Sequence, residues 1–451
     1  MNYLLIPAGL LLSCAVVVGG SAQVAPTSRP TSAASRLSAG ELERARDATD
    51  VAATRAHGWA LWTELNSPDP KGMPRWIGWA GSGEILRHVD AHFGSGGDPS
   101  SRPATDVRLG GERVSPTSQT LARRGGSRSG GAHDGAGASA RGVVRRPEPA
   151  VSIYFNPAAA EHMRRNGYDA PGTFATLKED LDRAGAPPAA RTIAAFPREA
   201  VAVKAMWRIV RGAPAAGEVW VLPTWDPETA KASGAAAALP PSKWRRSVVI
   251  DFSGRDVPPD ETVEVNLPGQ PRVSRVVSID RFFHITLDAR QAADLDASAG
   301  DTAILVGLHV ATKELPTWVW ATYWWHDRPD LGEFAAGRPE AISRGVWGNY
   351  LMNIDLGDPA GSGGGARFGD GGSGRRAVFN PWLEGGLKGG TASNCLSCHQ
   401  QASLTAQLLA APFAPVRATP RSDGDAVFRD RIRTDFVWSV AGVGVAGGGS
   451  R

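Results

Sequence analysis

The sequence predicts an α+β chain: a central, mainly antiparallel β-rich body, a helical N-terminal part, and a C-terminal segment built around a Cys-x-x-Cys-His motif. Three observations carry this. Runs rich in Val, Ile, Phe and Trp, separated by Pro, Gly and Asp, dominate the stretch from Val201 to Asp327. Helix-period patterns precede them, at Glu41 to Leu65 and again between Pro157 and Ala184. The segment before the Cys motif is rich in Trp, Gly and strand formers, which excludes a four-helix bundle.

In chain order, residues 1–22 read as a signal peptide. The run from Tyr3 to Val18 is apolar, and Gly20 and Ala22 fit the small-x-small pattern of a cleavage site, although Lys and Arg are missing near the start. Two rivals are a retained membrane anchor and a lipoprotein, the latter because Leu11 to Cys14 resembles a lipobox. The apolar run is short for a full span, and Cys14 lies in its middle. An exported, periplasmic location follows, membrane-anchored if the leader is kept. No other stretch is apolar for long enough to cross a bilayer, so no integral membrane domain is expected after cleavage.

Residues 23–37, rich in Ala, Ser, Thr and Pro, form a flexible lead-in. In 38–93, Ser38 with Glu41 three residues on makes a capping pair for a helix over Glu41 to Leu65. Trp59, Trp62 and Leu65 fall on one face of it. Residues 94–146 collapse into Gly, Ser, Arg and Pro and are expected to be a disordered insertion, since they cannot bury enough apolar surface to offset their ordering entropy.

The body, 147–357, opens with a strand at Ser152 to Asn156, a helix from Pro157 to Asn166 and another from Thr173 to Ala184. Strands follow at MWRIV, VWVLP, SVVIDF, TVEVNL, RVVSIDRFFHITL and TAILVGLHVAT, with a short helix at Ala289 to Asp296. A Gly-rich loop occupies 358–374, and the final segment, 375–451, holds the Cys motif and a helix expected from His399 to Leu409. The formal charge of +4 is small for 451 residues. With basic residues scattered, it argues against a nucleic-acid partner.

The motif is Cys395-Leu396-Ser397-Cys398-His399. C-x-x-C-H is the attachment pattern of c-type haem. Two intervening residues space the sulfurs to add to the two porphyrin vinyl groups, and the adjacent His supplies the proximal nitrogen to the iron. Of the three cysteines, Cys14 lies in the leader, so Cys395 and Cys398 are the pair left in the mature chain. A structural zinc site wants four ligands, and no second Cys pair exists. A thioredoxin-like pair wants a strand before it and a helix opening at its first Cys.

The residues after His399 contain no Met and no His. A sixth iron ligand is therefore filled from upstream or absent. The candidates are His309, alone in an apolar strand; His326, which follows a Trp-rich run; and Met352 in NYLMNID. An ordinary buried imidazole, hydrogen-bonded to backbone, is the competing account of each histidine. His162, on a polar helix face, is expected to be exposed, and His133 lies in the insertion. The high count of 15 Trp is accounted for chiefly by core packing, with a haem lining or an electron path as the functional alternative.

The chain resembles a family of exported bacterial c-type cytochromes of uncharacterised function. The residues that carry the resemblance are Trp59 to Pro68, Ile153 to Pro157, Leu305 to Val310, Trp318 to Thr322, Asn380 to Glu384, Ser393 to His399 and Asp435 to Ser439. The resemblance implies one covalently bound haem c and aligns His309 with a histidine of the family pattern. It implies no reaction. Tyr323-Trp324-Trp325-His326 departs from the Phe-Glu-His-like run common in the family, though the His still aligns.

Electron transfer with a redox partner protein or a small electron donor or acceptor is the function these features favour. A haem enzyme of the peroxidase or oxygenase kind with an open sixth site, or a haem-based sensor or binding module, is the alternative. The size of the β-rich body motivates it, since a carrier needs only about a hundred residues.

Overall fold

The computed structural model describes residues 35–85, 138–139, 143–170, 172–212, 215, 218–227, 239–267, 270–357, 377–385, 394–407 and 424–443. The expected signal peptide, the Gly-rich loop at 358–374 and most of 94–146 lie outside them. The described residues form a mixed α+β fold with two main sheets and no four-helix bundle. None of their helices is long and apolar enough to cross a membrane.

The expected helix over Glu41 to Leu65 is two helices, α1 (Ala39–Asp47) and α2 (Val51–Leu65). Ser38 and Glu41 form the capping box of α1. The break comes at Thr49, whose φ is 53°, and at Asp50. The Asp50 carboxylate accepts the Ala53 N–H and starts a second helix, so a side chain that competes with the backbone wins here. Trp59, Trp62 and Leu65 are buried, as their spacing predicts.

The strands run, in chain order, β1 (Ala80–Gly81), β2 (Ala138–Ser139), β3 (Val143–Arg145), β4 (Glu148–Phe155), β5 (Val201–Val210), β6 (Glu218–Thr224), β7 (Arg246–Asp251), β8 (Thr262–Leu267), β9 (Gln270–Ser278), β10 (His284–Thr286), β11 (Thr302–Thr312), β12 (Val319–Trp325) and β13 (Tyr350–Asp355). Helices α3 (Pro157–Arg165) and α4 (Thr173–Arg183) follow β4, and α5 (Ala289–Asp294) follows β10. β2 and β3 lie within 94–146, where no structure was expected. They pair with β8 and β6.

The first sheet has the order β1-β4-β5-β11-β12-β13, antiparallel throughout, with β10 on β11. The second has the order β2-β8-β9-β7-β6-β3 and mixes parallel and antiparallel pairs. In the first sheet the register puts Ala205, Leu308, Tyr323 and Met352 in one row across four strands. The next row is Lys204, His309, Thr322 and Asn353. Adjacent rows face opposite ways. The first row packs on α2: Tyr323 stacks on Trp62 at 4.2 Å and donates its hydroxyl hydrogen to the Gly58 carbonyl at 2.6 Å. The second row therefore lies on the far side. It is a line of polar side chains across a sheet built otherwise of Val, Ile, Leu and aromatics.

The C-terminal segment covers that polar face. It comprises α6 (Pro381–Glu384), α7 (Cys395–His399) and the hairpin-like pair β14 (Ser403–Leu404) and β15 (Ile432–Arg433). The Asn380 side-chain amide donates to Thr322 Oγ1 at 2.8 Å and to the Tyr323 carbonyl at 2.9 Å. Asn353 donates to the Ala377 carbonyl. A second apolar core, with Phe155, Met163, Phe196, Trp318 and Trp320, holds Cys395 and Leu396. The helix expected from His399 to Leu409 ends instead at His399, because Ser403 and Leu404 are taken by a distant strand.

Candidate functional site

The Cys motif is wound into α7, five residues long. Asn394 caps it: its side chain accepts the Ser397 N–H at 2.8 Å, and the Ser397 hydroxyl donates back to the Asn394 carbonyl at 2.6 Å. The turn places the Cys395 sulfur 3.6 Å from the Val378 carbonyl oxygen and the His399 ring beside Trp320 of the sheet. Both cysteines are free thiols, Cys395 buried and Cys398 partly so. Burial pushes the Cys395 thiol well above its ordinary range and Cys398 up to about 12, and the Glu384 carboxylate adds to both. A thiol-redox pair needs the opposite, a lowered pKa. The helix does open at the first cysteine, as a redox pair would require, but the electrostatics of the pair do not suit it.

His399 is neutral at pH 7. Burial, first of all, lowers its pKa to about 4. Its Nδ1 lies 2.8 Å from the Phe436 carbonyl oxygen, which can only accept, so Nδ1 carries the hydrogen. Nε2 is left as the nitrogen with a lone pair, the state a metal-binding imidazole adopts. The Phe436 carbonyl is presented by strained backbone. Asp435 and Phe436 have φ of 46° and 70°, left-handed values. Such residues cost of order 1–3 kcal/mol each and persist only where their surroundings over-determine them.

His309 faces this group from β11. Its ring centroid is 5.4 Å from that of His399, with 27° between the planes. Trp320 lies 6.0 Å from His309 and 4.2 Å from His399, and closes one side of the site. His309 is 5% exposed, and neither ring nitrogen has a hydrogen-bond partner. An unpaired buried polar ring costs roughly 1–3 kcal/mol per lost partner, so something is expected to fill it. Burial, with His399 and Lys204 nearby, holds its pKa well below the usual range, and the ring is neutral.

The other two candidates are not brought here. His326 is satisfied on both sides: Nε2 lies 2.8 Å from the Trp225 carbonyl and Nδ1 accepts the Arg328 N–H at 2.9 Å. Met352 sits in the row facing α2, where its sulfur packs against Gly58. His162 is half-buried, not exposed, with its ring 4.5 Å from Phe196. Among the described residues no three His, Cys, Asp or Glu side chains converge as a metal-ligand set. A group bound here by thioether bonds would need one or two imidazoles and no more.

Two contributors escape sequence reasoning. The Phe436 carbonyl is one, since every residue carries such a group and only the fold selects it. Glu384 is the other. It is half-buried, accepts the Asn380 N–H at 2.5 Å, and desolvation pushes its pKa up to about 8. Lys204 does leave a signal, as one of two charges, with Arg208, inside the otherwise apolar strand VAVKAMWRIV.

No family model, curated protein or solved structure matches this chain.

Proposed function

We propose that this chain is an exported c-type cytochrome with one haem, joined to Cys395 and Cys398, with His399 as proximal and His309 as distal ligand. The observation that carries the reading is the pairing of two neutral imidazoles of complementary state, one buried on the sheet and one half-buried on the helix. His399 is anchored through Nδ1 on Phe436, and His309 has both nitrogens unpartnered 5.4 Å away. The chemistry of the residues suits the group: two free thiols on one helical turn, an oriented imidazole beside them, and a second imidazole in need of a partner.

Haem held by two histidines supplies a one-electron iron couple. The residues of this chain do the rest. The two sulfurs of Cys395 and Cys398 would tether the group. The Nδ1–H of His399 gives its proton to a hydrogen bond and raises the basicity of Nε2. His309, Trp320 and Trp318 keep water from the site. Were both His399 and His309 to bind the iron, the function favoured would be electron transfer with a partner protein or a small donor or acceptor. A haem enzyme or a sensor would need the His309 side open or displaceable.

The test is to mature the full chain in cells carrying c-type haem attachment machinery and to record oxidised and reduced spectra. Covalent haem, low-spin in both states and indifferent to carbon monoxide, is expected. A high-spin spectrum that shifts with carbon monoxide turns the reading toward the enzyme or sensor. Absence of covalent haem sinks it.

A further inference from the structure

The strained turn at Asp435 and Phe436 is held by a buried ion pair that the ligand set does not explain. Asp435 Oδ1 lies 2.5 Å from Lys313 Nζ, with the two side chains 9% and 8% exposed. The other oxygen, Oδ2, accepts the Phe196 N–H at 2.8 Å. Lys313 Nζ also donates to the Pro316 carbonyl at 2.9 Å and lies over the rings of Trp318 and Phe436. On the far side of the turn, Thr434 donates its N–H to the Ala402 carbonyl, and its hydroxyl donates to the Val437 carbonyl. These contacts hold the two left-handed residues or the residues flanking them, and the Phe436 carbonyl they present is the acceptor for His399 Nδ1.

Lys313 follows directly on β11, four positions after His309, and its own N–H is donated to the Ala200 carbonyl. The strand that carries one imidazole thus also anchors the carbonyl that orients the other.

We infer that Lys313 and Asp435 are positioning residues for His399: their ion pair clamps the turn that presents the Phe436 carbonyl, and ties the orientation of the His399 ring to the strand bearing His309. The inference rests on the haem reading above. It assigns a physical role to the Asp435 to Ser439 stretch, which sequence resemblance alone left without one. Breaking a buried pair leaves the other charge uncompensated, so the turn is expected to relax when either member is removed. The Nδ1–H bond then lengthens, Nε2 becomes a weaker donor, and the oxidised iron loses more stabilisation than the reduced.

The full chain carrying covalent haem provides the test. Asp435→Ala removes both acceptors and puts alanine where the backbone is left-handed. Asp435→Asn keeps an amide oxygen for the Phe196 N–H and tolerates that backbone. At a fixed applied potential, Asp435→Ala is expected to raise the ratio of reduced to oxidised protein roughly tenfold, or about 59 mV for a one-electron couple. Asp435→Asn recovers part of that change. Lys313→Met, which leaves the Phe196 contact intact, moves the potential in the same direction and decides the matter alone if Asp435→Ala does not accumulate folded. Unchanged potentials in Lys313→Met and in any folded Asp435→Ala, each with haem attached, overturn the inference and leave the haem reading standing. Failure of the unsubstituted chain to take up haem overturns the reading beneath it.

Discussion

The imidazoles of His309 and His399 face each other at 5.4 Å, one on the central strand of a sheet and the other at the end of a five-residue helix. The relation is built across about ninety residues of chain, and it makes the histidine on the sheet the more informative one to change. His309→Ala is expected to leave haem attachment intact and to convert the low-spin spectrum to a high-spin, carbon monoxide-sensitive one. His326→Ala is expected to leave the spectrum alone and to lower stability by roughly 1–3 kcal/mol, since it strips partners from a buried carbonyl and N–H. Equal spectra in the two variants would remove His309 from the ligand set.

Glu384 gives a stability that falls as pH rises. Its folded pKa is pushed up to about 8 by burial, against an ordinary value of 4.5. Below that ordinary value both states hold the proton. Between it and about 8 the unfolded chain has released the proton while the folded one keeps it, so folding weakens across that window. Glu384→Gln retains an oxygen for the Asn380 N–H and cannot ionise. Urea melts are expected to agree with the native chain near pH 4 and to favour the variant near pH 8. Parallel stability curves would show that the carboxyl is not held neutral.

Glu314 runs the other way. Burial alone would raise its pKa, but His57 and Arg36, with Thr312, overcome that and hold it at about 2. His57 Nδ1 accepts the Leu37 N–H, so its Nε2 carries a hydrogen to Glu314 at 3.2 Å, and Arg36 reaches the same carboxylate at 2.6 Å. The group ties residues ahead of α1 and the end of β11 to α2. A depressed carboxyl contributes stability that is present above the ordinary carboxylate range and lost as pH falls through the folded value. Glu314→Ala is expected to cost about 3 kcal/mol at pH 7. Acid titration followed by circular dichroism should show the gap closing as pH approaches 2.

Gly357 has a φ of 64°, and a Cβ added there would overlap the carbonyl oxygen of Trp318. Both the backbone and the space forbid a side chain. Gly357→Ala is expected to cost more than about 1 kcal/mol, read as a lowered Tm. Gly72→Ala is a control with left-handed backbone and open space, and it should cost less.

The sequence was legible where local chemistry decides. TAILVGLHVAT is β11 from end to end, because an uninterrupted apolar run has no competing turn residue. The Cys-x-x-Cys-His pattern is read from spacing alone, and the haem it suggests is the reading proposed above. His309 stood out as the histidine in that run, but choosing it over His326 needed the fold, which turns one ring to His399 and gives the other two backbone partners. The break between α1 and α2 was missed because Asp50 was read as a helix interior residue when it acts as a cap. The early stop of α7 was missed because its cause, the pairing of Ser403 and Leu404 with Ile432 and Arg433, lies about thirty residues away.

The burial of Cys395, 4% exposed in the second core, sets an order in time. On the haem reading proposed above, a catalyst that joins the group to both sulfurs would need to reach them, and in the folded chain the Cys395 sulfur is buried against the Val378 carbonyl. Attachment would then belong to a window in which the sheet is still forming or the segment from Ala377 onward has not yet docked. Closure over the polar row would be the last act of maturation, sealing a bond already made, and a chain that folded too soon would shut the group out.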